Sequence, residues 1–159
     1  MADETVVRQQ GDGDAIWMLG GLYEVKAAAD ETGGALTVME MTIPPGMGPP
    51  PHVHDGGESV YVLEGSVRYH IGDEEVEGGP GSFFYVPEGV VENFEPTGDS
   101  NLRVLVMYTP GGIDKFFAEA GEPAQARELP PPPSAPPDVE RLAEIGARYG
   151  LEIRQPAEA

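Results

Sequence analysis

The chain is expected to fold as an all-β domain, short antiparallel strands closing on themselves as a sandwich or barrel, with short helices at the C-terminal end. Three observations carry that expectation. Between Ala35 and Tyr108 short apolar runs recur: ALTVMEMTI, SVYVLEG, VRYHI, SFFYV and NLRVLVMYT. They are rich in Val, Ile, Phe and Tyr, which suit a pleated, half-buried surface. The breaks between them, IPPGMGPPP, LEGS, IGDEEVEGGPG and PEG, are turn chemistry, because Pro presets φ and Gly supplies positive φ.

Taken in order, residues 1–34 read as an N-terminal strand or arm on the barrel, with Trp17 as packing for that strand. Residues 35–112 read as the barrel core. Side chains alternate faces along a strand, so Val67, Tyr69 and Ile71 are expected inward, with Arg68 and His70 outward. His70 is therefore read as structural or interfacial. In the last long run Leu102, Val104, Val106 and Tyr108 oppose Arg103, Leu105 and Met107. The second face of that run is also largely apolar, which implies a second sheet, a helix or another subunit over it. A homodimer is expected.

Residues 113–159 read as a helical and proline-rich extension of the same domain. Ile113 to Ala120 is a short helix with Phe116 and Phe117 turned to the body, stopped by Gly121. LPPPPSAPP suits neither a helix interior nor a central strand, and is expected as an extended spacer. Asp138 is a good N-cap for a last helix, with Val139, Leu142 and Ile145 on one stripe and Gly150 as its stop.

The length, 159 residues, fits one domain on the usual scale of roughly 100 to 200 residues. Nine Lys and Arg against 28 Asp and Glu give a net charge of -19, which repels phosphate backbones and anionic surfaces and excludes nucleic acid as a partner. The excess is -6 over residues 1–50, -9 over 51–110 and -4 over 111–159, by count of the sequence. It reads as a solvated surface or as salt adaptation. There is no run of about 18 apolar residues to cross a membrane. Asp3 and Glu4 stand where a secretory leader wants positive charge, so a cytoplasmic protein is expected. With no cysteine, any metal must be held by nitrogen and oxygen.

Two of the three histidines lie in PPHVHDGGE. His52 and His54, two apart on extended chain, project from one face with Cα atoms roughly 6 to 7 Å apart. Asp55, Gly56 and Gly57 form a turn sequence that can bring the Glu58 carboxylate to the same point. Two imidazoles and a carboxylate form the facial set suited to Fe(II), with open positions for dioxygen or substrate, and Mn, Ni, Co and Zn also fit. Asp55 and Glu88 read as solvated loop charges.

On these residues the chain resembles the cupin superfamily. Gly46, His52, His54, Glu58 and Gly65 match every element of the first cupin motif. Gly81, Pro87 and Gly89 match the second, whose histidine position holds Glu92 and whose closing asparagine position holds Pro96. The flanking TGGALTVMEMTIPPG and TPGGIDKFFAEAGEP, and the terminal helix ending in ARYG, are similar to those of small bacterial single-domain cupins described as quercetin dioxygenase-like. The resemblance implies a double-stranded β-helix, or jelly-roll barrel, with a divalent metal inside its mouth held by His52, His54 and Glu58. Glu92 either coordinates as a fourth ligand, swings aside as a general base near substrate, or is solvated.

The implied activity is a metal-dependent dioxygenase cleaving an enolic or phenolic small molecule, with Glu58 or Glu92 taking the substrate's proton. A non-oxidative cyclase, isomerase or decarboxylase, and a non-catalytic binding protein, are the alternatives. Phe83, Tyr85, Phe94, Met39, Met41 and Tyr108 are the candidate pocket lining, which suits a planar or lipophilic molecule. Arg68 and Arg103 are expected outward, so a polyanionic substrate is disfavoured.

Overall fold

The computed structural model describes residues 5–154; Asp3 and Glu4, read above against a leader, lie outside the described residues. In chain order the elements are β1 (Ala15–Met18), β2 (Gly21–Ala27), a 3-10 turn (Ala29–Glu31), β3 (Thr37–Ile43), β4 (His52–His54), β5 (Gly57–Glu64), β6 (Val67–Ile71), β7 (Glu74–Gly78), β8 (Phe83–Val86), β9 (Glu92–Pro96) and β10 (Leu102–Thr109). After them come α1 (Asp114–Ala120), β11 (Glu122–Pro123), α2 (Val139–Ala147) and β12 (Leu151–Ile153). Two antiparallel sheets result. One runs β11-β1-β2-β3-β10-β5-β8 and the other β12-β4-β9-β6-β7. The architecture is the double-stranded β-helix.

The long strands form where apolar residues keep a period of two. In β3, Thr37, Met39, Met41 and Ile43 are buried and the residues between them are not; in β10 the buried set is Leu102, Val104, Val106 and Tyr108. These pair through seven register positions, from Leu102 opposite Ile43 to Tyr108 opposite Thr37. A slip of one residue would turn every one of those apolar side chains to solvent. Gly65 closes the tight connection from β5 to β6 at φ +79, and a Cβ there would lie 2.4 Å from the Asn101 carbonyl oxygen.

Several elements depart from the sequence expectation. EEVEG, read as part of a turn, is strand β7, paired along its whole length with β6. Its residues are almost all exposed, so no apolar alternation announces it. It is held by the ladder and by Arg68, whose guanidinium lies 3.6 Å from Glu77 and 3.9 Å from Glu75. The N-terminal strand is a hairpin, β1–β2, built into the seven-stranded sheet against β3. The last helix ends at Ala147, before the expected stop at Gly150, and beyond Gly150 the chain continues into β12, a strand the sequence reading did not expect, which pairs with β4.

The C-terminal extension lies against the barrel. Asp114 accepts hydrogen bonds from the Thr37 hydroxyl (2.6 Å) and the Ala29 amide (3.1 Å), which fixes the start of α1 on the sheet. Phe116 and Phe117 are buried, and the ring of Phe117 stacks on Tyr23 at 5.2 Å between centroids. Each such aromatic contributes about 2 kcal/mol by burial. Asp138 caps α2 by accepting from the Arg141 amide at 3.1 Å, and Leu142 and Ile145 turn inward. No helix among the described residues is long and apolar enough to cross a membrane.

Candidate metal centre

Three strands deliver four candidate ligand side chains. His52 and His54 occupy alternate positions of β4 and both face inward. The Gly56–Gly57 turn leads straight into β5, whose second residue is Glu58. Strand β9 pairs with β4 so that Glu92 stands opposite His52. Glu58 and Glu92 are each 1% exposed. One donor atom from each of the four lies within 4.8 Å of every other.

The donor atoms are aimed as metal ligands would be. His52 Nδ1 donates to the carbonyl oxygen of Pro50 at 2.8 Å, which leaves the Nε2 lone pair facing the cluster. His52 Nε2 is 3.8 Å from Glu92 Oε1 and 4.0 Å from Glu58 Oε2. His54 Nε2 and Glu58 Oε2 approach to 2.8 Å, yet both are buried without a hydrogen-bond partner. Unpaired buried polar atoms are costly. Two imidazole nitrogens and two carboxylate oxygens converging on one point are the donor set that a divalent transition metal satisfies.

The electrostatics follow from burying two carboxylates together. Burial alone would push Glu58 up, but the imidazoles of His52 and His54 beside it outweigh that and hold it below the usual carboxylate range. Glu92 is raised to about 10 by burial first and then by the Glu58 carboxylate, with the Tyr69 hydroxyl opposing. Like charges in one dry site do not both ionise, so the metal-free pair carries one proton near neutral pH. Tyr69 is the residue that the sequence reading missed as a site residue. Its hydroxyl lies 2.7 Å from Glu92 Oε1 and 3.5 Å from Glu58 Oε1. The available signal was a hydroxyl-bearing side chain at an inward position of β6; parity alone read it as packing.

The cluster opens into a cavity of about 50 Å³. Met41, Phe94 and Tyr108 line it, while Leu142, Leu151 and Ile153 from the C-terminal extension cover it; no Lys or Arg lines it among the described residues. Three lining expectations are corrected. Met39 is buried in the core away from the cavity, and Phe83 and Tyr85 are 60% and 56% exposed on the outer face of β8. The register Glu58 opposite Val86 sets that parity, and a run apolar on both faces could not reveal it. Arg68 and Arg103 face outward into ion pairs with Glu95, Glu40 and Glu64, and His70 faces outward against Glu75 and Glu95.

Residues 39–108 match the family model described as Cupin domain. Over those residues the chain is similar to the cupin family. The chain is 29% identical over 131 residues to quercetin 2,3-dioxygenase of Bacillus subtilis (strain 168), an alignment covering 81% of this chain and 38% of that protein. Among solved structures, a variant of oxalate decarboxylase from Bacillus subtilis superposes with a TM-score of 0.57 at 22% identity, covering 69% of this chain and 31% of that one. The polyketide cyclase RemF from Streptomyces resistomycificus gives 0.52 at 24% identity, covering 62% and 69%. The chain thus spans well under half the length of this dioxygenase relative. The structural likenesses establish the fold, which hosts several chemistries.

Proposed function

We propose that the protein is a metal-dependent dioxygenase that oxidatively cleaves an enolic or phenolic small molecule, with His52, His54, Glu58 and Glu92 holding the metal. The observation that carries this reading is the converging four-residue nitrogen and oxygen set, three of whose members, His52, His54 and Glu58, line an apolar cavity without a lysine or arginine among the described residues. The 29% identity to a quercetin 2,3-dioxygenase supports the oxidative form of it. When bound, the metal supplies Lewis-acid polarisation of a coordinated hydroxyl and, where it is redox-active, an electron path to dioxygen.

The chain's own residues do the rest. A carboxylate of the Glu58–Glu92 pair accepts the substrate's hydroxyl proton. Tyr69, kept neutral first by burial and then by the two carboxylates, donates to Glu92 and steadies it as its charge changes. Leu142, Leu151 and Ile153 keep bulk water from the cavity. The lack of a lining cation disfavours a small dianion such as oxalate, since nothing opposes its second charge.

Oxygen uptake is the test. Protein loaded separately with Fe, Mn, Ni, Co or Zn is expected to consume dioxygen with a flavonol or catechol for at least one redox-active metal, and not with oxalate. Absence of uptake with every metal refutes the dioxygenase. Turnover with zinc under anaerobic conditions would instead favour a non-oxidative enzyme, a reading supported by the nitrogen and oxygen donor set, which needs no redox-active ion.

The outer face of the seven-stranded sheet supports a homodimer. Leu105 and Met107 are half-buried there, Tyr61, Phe83 and Tyr85 are exposed, and no other element of this chain pairs beyond β8 among the described residues. Sedimentation of the purified protein at the mass of one chain would refute that association.

A further inference from the structure

The metal cavity, at about 50 Å³, has room for only a few atoms, since one water occupies roughly 10 to 15 Å³ by the same measure. Sites for molecules the size of a flavonol run to about 300 to 1,000 Å³. A second cavity of about 640 Å³ lies under the proline segment, between Pro130–Pro137 and the tip of the β1–β2 hairpin. Trp17, Met47 and the prolines give it apolar walls. Its charged groups are largely engaged: Asp138 caps α2, and the Arg141 guanidinium donates to the carbonyl oxygens of Ala120 (3.0 Å) and Glu119 (3.1 Å).

Three residues, Met18, Leu19 and Leu142, line both cavities and so form the partition between them. Leu19 is unusual in its backbone. It has φ +51, the only positive φ at a non-glycine residue among the described residues, and Gly20 follows at φ +77. Met18 pairs with Gly21, so Leu19 and Gly20 are the two central residues of a tight hairpin turn. Positive φ at both positions favours Asn, Asp or Gly at the first. A leucine there is strained, yet its side chain is half-buried against the core at the partition.

We propose that the groove beneath the proline segment holds the body of the substrate, and that Leu19 is the specificity-determining residue at the passage to the metal. The occupant is a planar aromatic molecule, uncharged or weakly acidic. One hydroxyl-bearing end passes Leu19 and Leu142 to reach His52, His54, Glu58 and Glu92. The apolar walls accept its ring faces, and a chain of charge -19 turns away a polyanion. The proposal rests on the metal-site reading above and adds where the ligand sits.

Quercetin is the probe, and Trp17, the single tryptophan of the chain, is the reporter in the groove wall. Titrated into chelator-treated protein, quercetin is expected to quench Trp17 emission saturably. Ala135→Phe, which fills the groove from the exposed proline segment, is expected to weaken that binding by about tenfold, the scale of adding or removing a small apolar group at a pocket wall. In zinc-loaded protein without oxygen, the flavonol's absorption shift on coordination reports entry to the inner cavity.

Leu19→Phe is expected to abolish that shift while Trp17 quenching remains. Leu19→Gly, which suits the backbone conformation and keeps the turn, is expected to retain the shift and strengthen it. Unchanged quercetin affinity in Ala135→Phe overturns the groove, and a shift indifferent to both Leu19 variants overturns the passage. If wild type shows the shift and Leu19→Phe loses it while no metal supports oxygen uptake, the inference stands and the dioxygenase reading fails. If uptake proceeds equally in wild type, Ala135→Phe and Leu19→Phe, the inference fails and the dioxygenase reading stands.

Discussion

Replacing Glu92 by Gln should make the metal-free protein more stable as the pH rises, relative to wild type. In the folded chain Glu92 is raised from an ordinary 4.5 to about 10 by burial and by the Glu58 carboxylate. Between those values the folded state holds one proton more than the unfolded state. Stability from this group is therefore fully present below about pH 4.5 and is lost as pH rises toward 10, at about 1.4 kcal/mol per pH unit. From pH 6 to pH 8 that is about 3 kcal/mol.

Glu58 acts in the opposite sense. It is held below the usual carboxylate range, so its contribution is lost only in acid and leaves the window from pH 6 to 8 untouched. The glutamine of Glu92→Gln would keep the shape of the protonated acid and a partner for the Tyr69 hydroxyl, but would take up no proton. The difference in unfolding free energy between Glu92→Gln and wild type should thus shift by about 3 kcal/mol in favour of the variant over those two pH units. Urea unfolding of chelator-treated protein, followed by Trp17 fluorescence and far-ultraviolet circular dichroism at pH 6, 7 and 8, measures it. Parallel pH dependences would refute a protonated, buried Glu92.

Three further outcomes are expected. Metal binding near pH 7 should release about one more proton in wild type than in Glu92→Ala, because ligation requires the carboxylate; calorimetry in buffers of different ionisation enthalpy reads this, and equal release removes Glu92 from the ligand set. Tyr69→Phe should lower metal affinity by about 10- to 100-fold through loss of the hydrogen bond that orients Glu92, as measured by competition with a chelator; unchanged affinity would leave Tyr69 a packing residue only. Leu151→Ala should cost about 2 to 4 kcal/mol of stability and speed metal loss to a chelator, because Leu151 pairs with His54 in the sheet and covers the cavity; a metal loss rate equal to wild type would show that β12 does not support the site.

The readable parts of this chain are those with long, regular alternation. Strands β3, β5, β6 and β10 bury every second side chain along most of their length, and their apolar residues can be counted off the sequence. His52 and His54 are legible for the same reason, since spacing of two on extended chain places both on one face. Glu58 follows through a two-glycine turn. Strand β7 was not legible, because an edge strand of mostly acidic residues is held by its ladder with β6 and by Arg68, neither of which leaves an apolar pattern. Strand β12 is three residues long and owes its existence to pairing with β4. Phe83 and Tyr85 misled because hydrophobicity does not set parity in a run that is apolar on both faces.

By itself the sequence determined an all-β barrel with short C-terminal helices, a donor set of nitrogen and oxygen, and the local pairing of two histidines with a glutamate. These depend on contacts within a few residues, where geometry is fixed by the period of the chain. Tertiary structure alone decided what Glu92 is. Strand β9 sets it beside His52, β5 brings a second carboxylate, and β6 brings the Tyr69 hydroxyl, so a side chain of ordinary acidity holds its proton. It also decided that the C-terminal segment, by pairing with the histidine strand, closes the cavity that His52, His54 and Glu58 face. Charge and access are set by groups distant in sequence, and only the folded arrangement brings their fields and surfaces together.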